Sequence, residues 1–212
     1  MSNFTYECED LASRLERYEW DNVWWERTDR ADAPRVLYIG DSISCSVLRR
    51  ANKLADGSVL IDGFGSSKAV DNPYLMPCVS LVAAQQKERR AVLFNSGLHG
   101  WHLDDETEYP RFYAEVLDFL QREFADAPLA VVLTTSVADA ARERRVQARN
   151  KAALHLVKER GLAVIDLYTP SLEGAQQKED GVHFQDAGYC VLARVLLDGV
   201  RDLIGKNEAI YP

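Results

Sequence analysis

The sequence predicts an α/β protein of three layers, a three-layer α/β/α sandwich whose helices cover both faces of a five-stranded parallel sheet. Short runs rich in Val, Ile and Leu, with no alternating polar residues, are typical of strands that are buried on both faces. Longer amphipathic stretches separate these runs, and this alternation produces right-handed βαβ units. A length of 212 residues suits one such domain with a well-buried core.

The predicted elements follow one another with little chain between them. The strands are 35–39 (RVLYI), 59–62 (VLID), 91–95 (AVLFN), 129–135 (LAVVLTT) and 162–167 (LAVIDL). The helices are 45–55, 74–88, 107–125, 139–160 and 186–204. Five strands connected in this way match the flavodoxin-like order, 2-1-3-4-5. The acidic stretch 104–109 is expected to open the third helix, because carboxylates suit the positive end of a helix dipole.

Residues 1–33 are predicted to be an N-terminal helical extension, and residues 34–212 the main domain. A helical pattern covers 5–18, and Trp20, Trp24 and Trp25 follow it. Large aromatic side chains are mostly packing residues, so we interpret these tryptophans as the face that buries the extension on the main body. An exposed aromatic platform for a sugar is the alternative.

Composition limits the partners of the protein. A net charge of -8 and a pI of about 5.1 argue against nucleic acid, because phosphate binding needs a concentrated basic surface. The chain has no run of about 20 apolar residues that would predict a membrane helix. Its N-terminus is polar and acidic, which is not typical of a signal peptide, so a cytoplasmic protein is expected. Four widely spaced cysteines without a CxxC pair predict neither structural zinc nor a disulfide framework.

Polar residues gather where the predicted strands end, which is where functional loops of a parallel sheet lie. Ser42 follows Gly40-Asp41 at the start of a helix, where the dipole favours negative charge on an attacked carbonyl oxygen. An ordinary turn with a helix cap explains the tripeptide equally well. Gly63 and Gly65 follow the second strand, and their amides could bind a ligand oxygen, although a plain turn accounts for them.

The loop after the third strand contains several polar side chains, although the strand before it is fully apolar. It contains Asn95, Gly97, His99, Trp101 and His102. This density indicates a site more than packing. The two histidines have HxxH spacing, but without a clear third ligand we do not predict a metal.

An Asp-His pair precedes the last helix. Asp180 stands three residues before His183, so its carboxylate can hold one imidazole nitrogen while the other takes a proton from a serine. Taken alone, Asp180 could be a turn or cap residue. The conjunction of serine, glycine turn, polar loop and Asp-His pair predicts a single site. We predict Asp41, Gly97 and Trp101 as its substrate contacts.

Over roughly residues 35 to 200, these residues resemble the SGNH, or GDSL-like, hydrolase family. Gly40-Asp41-Ser42 is similar to the family block that carries the nucleophile, and Asp180-Gly181-Val182-His183 to its final DxxH block. The resemblance implies that Ser42 is the nucleophile, His183 the base and Asp180 its partner. It implies that the amides of Ser42 and Gly65, or less favourably Gly63, line the oxyanion hole.

The third family block departs from its usual form. The family has Gly-x-Asn-Asp, whose Asn donates to the oxyanion, whereas this chain has Gly97-Leu98-His99-Gly100. His99 can supply an N–H in its place, and Asn95 is the other candidate. The histidine in this block resembles a variant seen in some members of the family, which implies a subfamily.

The function expected from the resemblance is that of a serine esterase that needs no cofactor. A small acyl group on a carbohydrate is the first substrate candidate. An acyltransferase with the same triad and a non-catalytic carbohydrate-binding domain are the alternatives. The chain lacks the G-x-S-x-G elbow of α/β-hydrolases at Ser42, and its first turn lacks a glycine-rich phosphate cradle.

Overall fold

The computed structural model describes residues 14–86, 88–173 and 178–208. Within these residues six strands form one sheet in the order β1-β3-β2-β4-β5-β6. The strands are β1 (Asp21–Trp24), β2 (Arg35–Gly40), β3 (Leu60–Ser66), β4 (Ala91–Phe94), β5 (Leu129–Val132) and β6 (Ala163–Ile165). Strands β2 to β6 are parallel, and their order confirms the predicted flavodoxin-like arrangement.

Helices cover both faces of this sheet. They are α1 (Ser42–Ala55), α2 (Leu75–Ala83), α3 (Glu108–Glu123), α4 (Ala140–Arg160), α5 (Tyr168–Glu173) and α6 (Asp186–Glu208). The sheet separates two buried apolar clusters because successive strand residues point to opposite faces. Val36 and Tyr38 of β2 pack in the cluster that contains α1 and α6, whereas Leu37 and Ile39 pack in the cluster of α2 and α3. The predicted three-layer fold is therefore confirmed.

The N-terminal segment differs from its prediction where the structure describes it. Residues 14–20 contain a turn and bends but no helix, and most of the helix predicted over 5–18 lies outside the described residues. Residues 21–24 instead add strand β1, antiparallel to β3, at the edge of the sheet. Trp24 and Trp25 pack against the two different core clusters, consistent with a packing role.

Strand β3 also differs from its prediction. It continues to Ser66, four residues beyond the predicted end, because β1 pairs with its last four residues. Residues 63–66 are therefore strand and not loop. Among the described helices, none is long and apolar enough to cross a membrane.

Candidate active site

Ser42 is the first residue of α1, immediately after the end of β2. The turn needs glycine at position 40, because a Cβ there would lie 2.7 Å from Ser44 Oγ. Asp41 caps the helix: its Oδ1 accepts hydrogen bonds from the amides of Ile43 (2.9 Å) and Ser44 (3.4 Å). Ser42, in contrast to its neighbours, is partly exposed. Its hydroxyl therefore stands at a capped helix N-terminus with access to solvent.

The predicted substrate contact through Asp41 is corrected by this geometry. Asp41 is only 3% exposed, and its carboxylate is used as the cap of α1. Burial raises the pKa of its carboxyl, although the charges of His99 and His183 and the two helix amides oppose the shift. Asp41 therefore shapes the turn that presents Ser42.

His183 lies directly beside Ser42, although 141 residues separate them in sequence. Its Nε2 is 2.7 Å from Ser42 Oγ, and its Nδ1 is 2.8 Å from Asp180 Oδ2. The structure thus brings the three predicted triad residues into one hydrogen-bonded chain. A carboxylate that accepts the Nδ1 hydrogen leaves a lone pair on Nε2, so His183 can take the serine proton.

The turn 180–183 is fixed by its own backbone. Asp180 Oδ1 accepts the amides of Val182 and His183, both at 2.9 Å. These two amides and the imidazole lower the pKa of Asp180 to about 2, so its carboxylate stays charged over the working range of an esterase. Gly181 has φ +68°, and its carbonyl accepts a hydrogen bond from the Ala138 amide at 2.7 Å.

Side-chain packing anchors the same turn to α1 and α6. Phe184 is fully buried and contacts the Tyr189 ring edge-to-face at 5.7 Å. Arg50 of α1 holds Asp186, the first residue of α6, at 2.6 Å and lies over the Tyr189 ring. The packing of α1 on α6 therefore brings the serine and the histidine together.

Gly65, predicted to donate its amide to an oxyanion, is inside the sheet. It pairs with Gly40 of β2 and Asn22 of β1. The Ser67 amide donates to Trp20 O of the N-terminal segment, and amides two residues apart in a strand point to the same side. The Gly65 amide is therefore directed at β1 and away from Ser42, which corrects the prediction. The same extension of β3 removes Gly63 from a loop.

Asn95 is the second prediction that the structure corrects. It is only 6% exposed, and its Nδ2 donates to Val132 O at 2.8 Å and to Thr134 Oγ1 at 3.2 Å. Both amide hydrogens are thereby used inside the sheet, at the end of β5. Asn95 joins neighbouring strands and has no hydrogen left for a substrate oxygen.

His99, the other candidate for this role, lies near the Asp41 turn. Its Nδ1 is 3.4 Å from Glu16 Oε1, and the Trp20 ring contacts it edge-on at 6.4 Å between ring centres. Burial works against protonation of the ring, but Glu16, Asp41 and Glu19 outweigh it, so the pKa of His99 is raised. His99 as an oxyanion donor stays a prediction.

A buried arginine that the sequence did not single out holds the loop 97–100. Arg149 of α4 is 0% exposed and donates to the carbonyls of Gly97, His99 and Gly100 at 2.6 to 3.0 Å. Its Nε donates to Asp105 Oδ1 at 2.6 Å, and Arg145 also pairs with that carboxylate. Asp105, expected to open a helix by its charge, instead anchors both arginines.

The two remaining predicted substrate contacts, Gly97 and Trp101, both lie against Arg149. Gly97 is buried, its carbonyl binds Arg149, and a Cβ there would lie 2.1 Å from Thr134 Oγ1, so its contact with substrate is corrected to a structural role. Trp101 is partly exposed, with the Arg149 guanidinium 4.6 Å from its ring centre, and stays a candidate.

The HxxH pair does not converge on one point. His102 Nε2 lies 2.8 Å from Asp71 Oδ2, whereas His99 pairs with Glu16. Within the described ranges, no three His, Cys, Asp or Glu side chains are grouped to hold a metal ion.

Comparison with known proteins gives structural matches alone. No family model and no curated protein matches the chain. A lipase/acylhydrolase from Enterococcus faecalis superposes with a TM-score of 0.63 at 16% identity, over 82% of this chain and 96% of that one. An acetyl xylan esterase gives 0.61 at 16%, over 78% and 99%. A G-D-S-L family lipolytic protein from Veillonella parvula gives 0.62 at 18%, over 78% and 97%. The chain therefore has the fold of the SGNH, or GDSL, lipolytic hydrolases and esterases.

Proposed function

We propose that this protein is a serine esterase that hydrolyses small acyl esters through Ser42, His183 and Asp180. The observation that carries the proposal is the continuous hydrogen-bonded chain from Ser42 Oγ to His183 to Asp180, with distances of 2.7 and 2.8 Å. Nucleophile, base and orienting carboxylate in contact are the signature of an activated serine. The same contact argues against a binding domain that has lost catalysis.

The reaction begins when His183 Nε2 takes the Ser42 proton as Oγ bonds to the ester carbonyl carbon. Negative charge moves onto the carbonyl oxygen, near the N-terminus of α1 and its Ser42 amide. The imidazolium of His183 then protonates the alkoxy oxygen as the C–O bond breaks, and the alcohol leaves. Water, deprotonated by His183, then attacks the acyl carbon, and His183 returns that proton to Ser42 Oγ as the acyl–Oγ bond breaks and the acid leaves.

His99 is the side-chain donor that we assign to the oxyanion. The structure commits the Asn95 amide elsewhere, whereas His99 lies close enough to Asp41 for their charges to interact. Removal of one oxyanion donor typically lowers kcat by about 10²- to 10³-fold. Loss of the His99 side chain should therefore leave a weak esterase.

The substrate class that we propose is an acetylated carbohydrate. One structurally similar protein is an acetyl xylan esterase and another an acetyl-xylooligosaccharide esterase, which supports a small acyl group on a sugar. The partly exposed Trp101 ring is the residue we assign to the sugar face, because aromatic rings combine apolar area with a polar edge.

Hydrolysis of p-nitrophenyl acetate, p-nitrophenyl octanoate and acetylated xylo-oligosaccharides tests the proposal. We expect turnover of the acetyl esters, less of the octanoate, and loss of at least about 10³-fold in kcat with Ser42→Ala. Ser58 is an exposed residue after α1 whose hydroxyl donates to Ala55 O at 2.7 Å; Ser58→Ala is the matched control and should keep full activity. Wild-type protein without turnover, or a Ser42→Ala variant as active as Ser58→Ala, contradicts the proposal.

A further inference from the structure

The N-terminal segment before β1 reaches the candidate oxyanion hole. Glu16 Oε1 accepts the Gly100 amide at 3.0 Å and lies 3.4 Å from His99 Nδ1. One carboxylate oxygen therefore contacts both the histidine and the backbone of the next residue. Neither contact follows from the motifs of the main domain, because Glu16 lies more than 80 residues away in sequence.

Several contacts fix this segment on the end of β3. The Trp20 amide donates to Ser67 Oγ at 2.9 Å, and the Ser67 amide donates back to Trp20 O at 3.1 Å. Glu19 lies 3.6 Å from Lys68 Nζ and also accepts the Glu16 amide at 2.8 Å. Pairing of β1 with β3 continues from this point. The segment that positions Glu16 is therefore anchored on both sides of Trp20.

The contact with Glu16 bears on which nitrogen of His99 carries hydrogen. A carboxylate oxygen 3.4 Å from Nδ1 can only accept, so it favours the form of His99 that carries a hydrogen on Nδ1. In a neutral ring Nε2 then has a lone pair and cannot donate to an oxyanion. Only the doubly protonated ring presents an N–H at Nε2 as well. The assigned role of His99 therefore requires its charged form.

Resting on the proposed esterase function, we propose that Glu16 is a positioning residue that holds His99 as an imidazolium whose Nε2–H binds the oxyanion. Negative groups face the ring from two sides. Glu16 and Glu19 belong to the N-terminal segment, and Asp41 to the β2–α1 turn. Trp20 adds a ring edge.

The two histidines thereby take opposite roles. The raised pKa of His99 means that its protonated form persists to higher pH than that of an ordinary imidazole. The charge is present at low pH and is lost as pH rises through the raised pKa. His183 must be neutral to act as base. We therefore expect the pH profile to have an alkaline limb, along which activity falls as His99 loses its proton.

Asparagine at position 99 gives a discriminating variant. An Asn amide donates without titrating and needs no carboxylate behind it. H99N should retain substantial activity and lose the alkaline limb. Glu16→Gln keeps an oxygen that can accept the Gly100 amide but removes the negative charge. It should lower kcat by about 10- to 100-fold, which is less than the loss of a whole oxyanion donor, and should change KM little. Its alkaline limb should move to lower pH.

The double variant completes the test. If Glu16 acts through the charge of His99, E16Q has little further effect on kcat in the H99N background. Equal losses from E16Q in both backgrounds would show a structural role and overturn the proposal. Glu26→Gln is the matched control: Glu26 lies just after β1, where it accepts a hydrogen bond from the Trp24 indole, and its loss should leave the pH profile unchanged.

A second readout separates this inference from the proposed function. The imidazole NMR signals of His99 should titrate above the range of an ordinary histidine in the wild type, and at lower pH in E16Q. An active wild type whose His99 titration and kcat are both unaffected by E16Q refutes the role of Glu16 and leaves the esterase intact. A wild type without ester turnover refutes the esterase itself, and the oxyanion role with it.

Discussion

Arg149→Met removes the buried guanidinium that holds the loop 97–100. Arg149 donates to three carbonyls of this loop and to Asp105, whose side chain is 12% exposed. Breaking a buried ion pair by deleting one partner costs about 3–5 kcal/mol. Each carbonyl left without a donor adds roughly 1–3 kcal/mol unless water reaches it. Methionine offsets part of this by packing between Trp101 and Tyr109.

We therefore expect a loss of at least about 3 kcal/mol in the free energy of unfolding, measured by urea denaturation at pH 7. Arg144→Met is the matched control, because Arg144 lies on the same helix, carries the same charge and is exposed. Its effect should stay within about 0.5 kcal/mol. Ester turnover of the folded fraction of Arg149→Met should also fall, since His99 loses its backbone support. A loss below about 1 kcal/mol in Arg149→Met, similar to the control, would refute the reasoning.

Three further changes test separate parts of the site. Asp180→Asn should lower kcat by about 10³- to 10⁴-fold, because it favours the wrong tautomer of His183. In the wild type, carboxyl NMR should show that Asp180 loses its charge only as the pH falls towards about 2. A pKa of Asp180 near 4 would contradict this. Gly181→Ala and Gly161→Ala both place a side chain at positive φ, which costs roughly 1–2 kcal/mol. Gly181→Ala also brings a Cβ within 2.9 Å of Ala138 Cβ, so it should cost more than Gly161→Ala in denaturation, and it alone should lower kcat. Asn95→Ala should destabilise the fold by about 1–3 kcal/mol with kcat changed less than tenfold; a larger loss of kcat without destabilisation would restore it as an oxyanion donor.

The elements that could be predicted are those that a short stretch of neighbouring residues determines. Each parallel strand is a short apolar run, and its burial on both faces leaves few alternative structures. The hydrogen-bonded chain of Ser42, His183 and Asp180 was also predictable, because Asp180 and His183 are three residues apart and Ser42 follows a strand. Their joint position follows from the topology, since α1 and the start of α6 lie on the same face of the sheet.

The contacts around His99 were not predictable in this way. Strand β1 is four residues long, and its partner β3 lies about 40 residues away, so only the pairing itself reveals it. Its addition extends β3 and removes Gly65 from the predicted loop. Arg149 stands on a helix with many charged residues, where an arginine ordinarily indicates a solvated face. Glu16 lies in a segment whose position depends on both the β1 pairing and the 99–100 loop.

Covalent labelling of Ser42 tests the central claim most directly. The wild-type protein is incubated with a fluorophosphonate, and the modified residue is located by peptide mass spectrometry. We predict one adduct, on Ser42, which forms more slowly in His183→Ala and is unaffected in Ser58→Ala. Absence of an adduct, or an adduct on another serine with Ser42 unmodified, would contradict a triad centred on Ser42.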